Sequence, residues 1–431
     1  MLKKFSTKQL MILFGCFMLQ AVPYVLSSFV PPLYFDPIER VYPNGAAGFT
    51  TLNLTLYLTI GAVASALVSP IVGKFFGKAK TKIIMYAGLA VAIVGMIIQA
   101  TATNVYMFWV ANIIIQSGCI TFIGLAIPYL IGNWFGDSLR ATAMGIAFAG
   151  GSFGNIFAQF IFTSLFQKVD SVQSLRQVFW IITIVFAVVG LLIITFCIKD
   201  NKEDQTPNHD IDEQKVESNK ADANVKGCGF DHTKSMSQFW IMGVAMIIIG
   251  LNIAAQSGLF NKFFSEMEIN KDVVKTVGSV FAIACVFGNV VGGALFSKLG
   301  TFKTLAIGGG FQIISAITMF FIAFSGKGND INNNLPFLWA VLYGLSTFTF
   351  TQGPSTIIQS LFGLKDFGQT VGIFNIFFAV GFAIGAPIFA AIQGKFDVQV
   401  AWISVVAFAV IGYLTMLFNV KIVEPQKLAQ K

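Results

Sequence analysis

Uncharged apolar runs follow one another along nearly the whole chain. A helix needs about 20 such residues to cross the hydrocarbon core of a bilayer, and it satisfies its own backbone hydrogen bonds there. Twelve runs meet this length, at 9–35, 48–73, 83–103, 105–135, 141–167, 177–198, 236–261, 276–297, 304–325, 335–363, 367–394 and 398–420. The sequence therefore predicts an all-α integral membrane protein with twelve transmembrane helices.

The overall composition excludes an ordinary soluble enzyme. Charged residues make up 11% of the 431 residues and hydrophobic residues 55%, whereas a soluble domain carries about 25% charged residues. No phosphate-binding loop or catalytic triad pattern is evident. The cysteines lack the spacing of a metal site or a disulfide framework; they are Cys16, Cys119, Cys197, Cys228 and Cys285. We predict no enzyme activity, no cofactor and no metal ion.

A helix–turn–helix segment near the middle of the first half recurs 227 residues later. With this shift Gly145 falls on Gly372 and Gly154 falls on Gly381. Membrane transporters built from two parallel repeats show this kind of internal symmetry. The polar segment 199–235 between the halves is too poor in apolar residues to fold by itself. We predict a six-helix bundle at 1–198, a flexible cytoplasmic linker at 199–235, and a second six-helix bundle at 236–431.

The distribution of Lys and Arg predicts the orientation in the membrane. Twenty of the 28 basic residues fall in the termini, the linker and the loops on the same side, and eight fall on the other side. Cytoplasmic segments carry this excess. Both termini are therefore predicted to be cytoplasmic, in a multi-pass protein of the plasma membrane. The net charge of +8 reflects this topology, so we expect the lipid bilayer and a small solute as partners, no nucleic acid, and a monomer.

The loop after the second predicted helix carries a family resemblance. It reads GKFFGKAKTK from Gly73, and a similar loop starts 220 residues later at Gly293. Both resemble the loop signature of the major facilitator superfamily, Gly-x-x-x-Asp-Arg-x-Gly-Arg/Lys-Arg/Lys, although Gly77 stands where the family has Asp. The repeated hairpins, with Arg140-Ala141-Thr142 in the first copy, resemble the oxalate/formate antiporter and monocarboxylate transporter branches. The resemblance implies a transporter, and the branch implies a small organic anion.

The predicted spans have no Asp, Glu, Lys, Arg or His side chain near their centres. Charged residues within a membrane are costly and mark ion paths or substrate counter-charges, and the only histidines, His209 and His232, lie in the linker. We therefore predict a facilitator or exchanger without a buried proton-coupling carboxylate. The uncharged interior favours a neutral solute, such as a sugar, a nucleoside or a zwitterion. A small organic anion remains the alternative, with a non-transporting membrane sensor or a lipid flippase as rival functions.

Neutral polar residues at helical spacing are the candidates for solute binding. An unpaired amide is costly in hydrocarbon, so these side chains should face one another or a water-filled cavity. Hydrogen bonds between helices would account for them equally well. The candidates are Gln20, Tyr24, Asn53, Tyr57, Asn112, Gln116, Phe148, Ser152, Asn155, Gln159, Asn252, Gln256, Gln352 and Asn375.

Small residues and loop cations are the candidates for conformational switching. Glycines let helices approach closely or bend. Several of these glycines coincide in the two repeats, since Gly145 falls on Gly372 and Gly154 on Gly381. The candidates are Gly73, Lys78, Arg140, Gly145, Gly154, Lys298, Gly372 and Gly381.

Overall fold

The computed structural model describes residues 6–199, 229–329, 333–363 and 366–429. These ranges are almost entirely helical and contain no β-strand. Ten helical segments are long and apolar enough to cross a membrane. One of them, Thr276–Ser325, contains two crossings, and a further crossing consists of three short helices. The described ranges thus hold twelve transmembrane helices, which confirms the predicted fold class.

The first six transmembrane helices form the N-terminal bundle. Serine, threonine or asparagine side chains cap the first turns of several of them, as in the capping box of Ser6 with Gln9. Two of the six contain a π-helical turn. They are α1 (Thr7–Leu19, a π turn at Gln20–Tyr24, and Val25–Ser28), α2 (Thr51–Gly73), α3 (Thr81–Thr101), α4 (Val105–Cys119, a π turn at Ile120–Leu125, and Ala126–Trp134), α5 (Asp137–Gln167) and α6 (Val172–Phe196).

The last six transmembrane helices form the C-terminal bundle. Within the helical segment Lys271–Ser325, Gly300 has a φ of 77° and a ψ of 175°. Glycine tolerates this conformation, and it separates α8 from α9. The six are α7 (Ser237–Glu266), α8 (271–299), α9 (301–325), α10 (Leu335–Leu345, Phe348–Thr351 and Gly353–Phe362), α11 (Phe367–Lys395) and α12 (Val398–Ala429).

Short helices occupy two of the connections. The α1–α2 connection contains Pro31–Tyr34, Phe35–Val41 and Pro43–Gly48. The end of the predicted flexible linker forms a helix, Phe230–Ser235, and the backbone N–H of Phe230 donates to Oδ2 of Asp366 at 3.1 Å. Most of the predicted linker, 200–228, lies outside the described residues, as does Cys228.

Prolines lie at the interruptions of α1, α4 and α10. Pro23 lies within the π turn of α1, and Pro128 and Pro354 follow the π turn of α4 and the break in α10. Each lacks the N–H that would bond to the preceding turn. Shifted by 227, the π turn of α4 falls on 347–352, where α10 is broken. Pro387, by contrast, lies in the uninterrupted helix α11.

Candidate functional site

The two bundles meet along a seam between α5 and α8. Gly145 of α5 lies against the backbone carbonyl of Asn289 and against Gly293 of α8, with no room for a Cβ atom. Gly293 lies in the same way against the backbone carbonyl of Ala141. A larger residue at either glycine would push the two backbones apart. The predicted switching residue Gly145 is therefore a point of contact between the bundles.

A second seam joins α2 and α11 and repeats the first. Gly73 lies against the backbone of Gly368, and Gly372 lies against the backbone of Ser69. The sequence shifts of 220 and 227 residues map each of these four residues onto its counterpart in the first seam. The internal symmetry of the sequence is thus a symmetry of contacts between the bundles.

A side-chain hydrogen bond crosses each seam. The hydroxyls of Thr142 and Ser297 are 2.9 Å apart between α5 and α8. Asn375 of α11 donates to Oγ of Ser69 on α2 at 3.4 Å. These residues lie in the halves of their helices that are nearer to the linker side, the side on which α6 ends and α7 begins. Backbone contacts and neutral hydrogen bonds therefore hold the bundles together on the linker side.

A polar stripe on α5 continues the surface that packs on α8. Phe148, Ser152 and Asn155 follow Gly145 at steps of three, four and three residues, which keeps them on one helix face. All three side chains are half-buried. Phe148 lies 11 residues after Asp137, or about 16 Å along the helix, close to the middle of a hydrocarbon core about 30 Å thick. The stripe therefore extends from the membrane centre away from the linker side. The side chain of Gln159 lies outside the described part of the structure.

The interrupted helices α1 and α10 carry polar groups at the same depth as this stripe. Gln20 and Tyr24 are the first and last residues of the π turn of α1, and both lie beside Gly151 of α5. Gln352, at the break in α10, donates to the backbone carbonyl of Asn289 at 2.8 Å. Its Oε1 atom and that of Gln20 are buried without a hydrogen-bond partner.

The remaining candidates in the N-terminal bundle bond within that bundle. Asn53 donates to the carbonyl of Gly48 at 2.7 Å, and Asn112 donates to the carbonyl of Tyr57 at 2.6 Å. These bonds connect neighbouring segments. Gln116 likewise donates to the backbone carbonyl of Ser27, and the Tyr57 hydroxyl accepts from Tyr34 and Gln99.

The candidates in α7 belong to a buried network of the C-terminal bundle. Gln256 donates to Oδ1 of Asn252 at 2.8 Å and to Oε1 of Gln312 at 3.2 Å. Its own Oε1 accepts from Ser315 at 2.9 Å and from Nε1 of Trp339 at 3.1 Å. The network joins α7, α9 and α10. Asn252 and Gln256 are fully buried in it.

The other predicted switching residues have varied surroundings. Gly154 lies against the carbonyl of Ala21 and Gly381 against that of Ile247, so each contact is within one bundle.

The predicted loop cations lie at the linker side. Lys78 and Lys298 are exposed, and Arg140 is half-buried in the first turn of α5. Gly77 has a φ of 86°, a conformation that favours glycine. A glycine at this position, where the loop signature has Asp, suits that conformation.

Sequence reasoning missed several residues of the seams and networks. Ser69, Thr142 and Ser297 cross the seams, and Gln312 and Trp339 belong to the C-terminal network. Ser69 corresponds to Asn289 under the 220-residue shift, so the repeat contained a signal for it. The other residues are ordinary helix residues without a distinguishing pattern.

Comparison with known proteins identifies the family. The model of the Major Facilitator Superfamily matches residues 12–356. The sequence is similar to the sialic acid transporter NanX of Escherichia coli (strain K12), with 23% identity over 381 residues that cover 86% of each protein.

Solved structures show the same fold. The structure is similar to FucP, the fucose:proton symporter of E. coli, in its outward conformation, with a TM-score of 0.69 and 16% identity over 95% of this chain and 97% of FucP. It is also similar to the human organic anion transporter MFSD10, with a TM-score of 0.66 and 12% identity over 95% and 99% of the two chains. These relatives are transporters, in agreement with the prediction that the chain is not an enzyme. The chain belongs to the Major Facilitator Superfamily.

Proposed function

We propose that the protein is a secondary transporter that moves a small polar solute by alternating access. The two seams close the linker side, and their loosening would open a path between the bundles on that side. The observation that carries this proposal is the stripe of Phe148, Ser152 and Asn155, because it continues the surface between the bundles at the membrane centre. Gln20, Tyr24, Gln352 and Asn375 complete the proposed site. The other candidate amides serve to join helices within a bundle.

We infer that the solute is neutral and that transport is not coupled to protons through a buried carboxylate. No Asp, Glu, Lys, Arg or His side chain lies near the centre of a span, so amides, hydroxyls and aromatic rings would recognise the solute. Such groups bind sugars well, since hydroxyls can donate and accept while a ring packs on an aromatic face.

A small organic anion is the second candidate solute. The sequence resemblance to the oxalate/formate and monocarboxylate branches favours it, as do the names of the sialic acid transporter NanX and the organic anion transporter MFSD10. A monoanion can be bound by neutral donors alone, including the amide N–H groups of asparagine and glutamine.

We propose that the linker side is cytoplasmic, which makes the structure outward-facing in the plasma membrane. The excess of Lys and Arg on that side supports this orientation, and similarity to FucP in its outward conformation is consistent with it. A cysteine placed at the N-terminus of the protein in intact cells should react with a maleimide only after the membrane is made permeable. Labelling before that would reverse the assignment.

Uptake into proteoliposomes tests the proposed function. The panel contains radiolabelled glucose, L-fucose, uridine, neutral amino acids, lactate, formate, oxalate and N-acetylneuraminate, each with and without a pH gradient. Saturable uptake of a neutral solute that does not respond to pH is expected. Accumulation of an acid driven by the proton gradient would refute the uncoupled mechanism and favour the anion. Binding without flux would identify a sensor, and lipid scrambling without solute flux would identify a flippase.

A further inference from the structure

The side-chain carbonyl of Gln20 is buried without a partner. Gln20 is 2% exposed, and no described group donates a hydrogen bond to its Oε1 atom. A buried carbonyl that makes no hydrogen bond is costly and calls for a specific explanation. One explanation is that the missing donor belongs to a ligand.

The backbone around Gln20 departs from a regular helix. Gln20 is the first residue of a π turn that ends at Tyr24 and contains Pro23. π turns inside α-helices are frequent at functional sites. The turn lies beside the polar stripe of α5, because Gly151, which packs against it, immediately precedes Ser152 of the stripe.

Gly151 leaves a methyl-sized space beside the buried carbonyl of Gln20. A Cβ atom at Gly151 would lie 3.4 Å from Oε1 of Gln20 and 3.4 Å from the ring of Tyr24, which is ordinary van der Waals contact. The glycines on either side differ, because a Cβ at Gly150 or Gly154 would overlap the backbone of α1. Helix packing therefore requires Gly150 and Gly154 but does not require Gly151.

We propose that Oε1 of Gln20 accepts a hydrogen bond from a hydroxyl group of the transported solute, and that Gly151 provides the space through which this hydroxyl reaches it. A carbonyl oxygen attracts a donor and repels a carboxylate oxygen. Gln20 thus selects a hydroxylated part of the solute, as in a sugar. This inference rests on the proposed function and names two specificity-determining positions within its site.

The test compares Gly151→Ala, Gln20→Leu and the double variant with wild type. Gly258→Ala is the control for the added methyl group, since nothing lies within 4 Å of the Cβ position of Gly258 on α7. Gln359→Leu is the control for loss of a buried amide, since Gln359 is 7% exposed and lies in the last turn of α10. The probes are D-glucose, L-fucose and N-acetylneuraminate. The readouts are KM and maximal rate of uptake, and the rise in Tm of the purified protein caused by each probe.

The inference predicts about a tenfold increase in KM for Gly151→Ala and for Gln20→Leu, with the maximal rate retained, since one hydrogen bond is lost. The double variant should resemble either single variant, because both changes remove the same contact. The Tm of Gly151→Ala without solute should not fall, because alanine favours a helix. If Gln20→Leu does not fold, Gly151→Ala alone decides.

Other outcomes separate this inference from the proposed function. An unchanged KM in Gly151→Ala, additive effects in the double variant, or equal effects in the controls would overturn the inference and leave transport intact. A probe that raises the Tm of wild type but is not transported would overturn transport. In that case the inference is supported if the probe no longer raises the Tm of Gly151→Ala. It is overturned if the probe still does so. Absence of both binding and flux for all three probes would refute both proposals.

Discussion

The repeated hairpin contains two pairs of equivalent glycines that look alike in sequence and have different surroundings. Gly145 and Gly372 lie in the seams between the bundles, whereas Gly154 and Gly381 lie against α1 and α7 of their own bundle. All four allow two backbones to approach more closely than any other residue would permit. In the proposed alternating-access mechanism, the first pair forms contacts that must break, and the second pair forms contacts that must persist.

The difference follows from the position of each pair along its helix. The pairs are separated by nine residues, or two and a half helical turns. Nine residues rotate a side chain to nearly the opposite face of the helix. A single helix in each repeat can therefore pack permanently on one neighbour and reversibly on another.

The largest effect is expected for Gly154→Ala and Gly381→Ala. The added methyl group overlaps a backbone carbonyl of the same bundle, so the bundle itself must distort. Overpacking of this kind costs about 1–3 kcal/mol, and a fall in the Tm of the purified protein should accompany a loss of transport. Gly310→Ala is the control, because nothing lies within 4 Å of the Cβ position of Gly310. If Gly154→Ala and Gly381→Ala both leave the Tm unchanged, these glycines do not form permanent contacts within their bundles.

Gly145→Ala and Gly372→Ala should reduce transport and leave the Tm nearly unchanged. Here the overlap is between bundles, so opening of the seam relieves it. A cost of about 1–3 kcal/mol in the closed state shifts the ratio of the two states about fivefold to 150-fold. A cysteine at Ser297, in a background with Cys197 and Cys228 replaced by serine, should react faster with maleimide added on the linker side. Equal labelling rates would show that these glycines do not limit seam opening.

The sequence predicted the fold because the bilayer imposes simple rules on it. The bilayer determines the length of the spans and the distribution of charge, and the internal repeat of the chain accounts for the second hairpin. The twelve-helix architecture predicted from these features is confirmed. The repeat also identified Gly145 and Gly372 as special. It could not separate them from Gly154 and Gly381, because the neighbour of each helix face is a property of tertiary structure.

The candidate site was less predictable for the same reason. Helical spacing placed Phe148, Ser152 and Asn155 on one face. However, an amide that faces a cavity and an amide that bonds to a neighbouring helix have the same spacing in the sequence. Asn112 and Gln256 turned out to bond within their bundles. Residues such as Ser297, whose role depends on a partner 155 positions away, have no local pattern.

A smaller effect is expected for the hydrogen bonds that cross the seams. Thr142→Ala should weaken the closed state by about 0.5–1 kcal/mol. Asn375→Ala should have a smaller effect, because its bond to Ser69 is 3.4 Å long whereas that between Thr142 and Ser297 is 2.9 Å. Double-mutant cycles separate the bond from other effects of the substitution. They are measured by maleimide labelling of a cysteine at Ser69 for the Thr142–Ser297 pair and of a cysteine at Ser297 for the Asn375–Ser69 pair. Additive changes would show that the paired residues are not coupled.

The smallest effect is expected for Lys78→Gln and Lys298→Gln, the equivalent loop cations of the two repeats. Both side chains are exposed at the linker side, and exposed charges contribute little to stability. If backbone contacts of glycine hold the seams, as Gly73 and Gly293 indicate, each variant should retain the KM, maximal rate and Tm of wild type. The double variant tests whether the loops act together. A loss of transport in the double variant at an unchanged Tm would mean that charge, in addition to close backbone packing, controls the opening of the linker side.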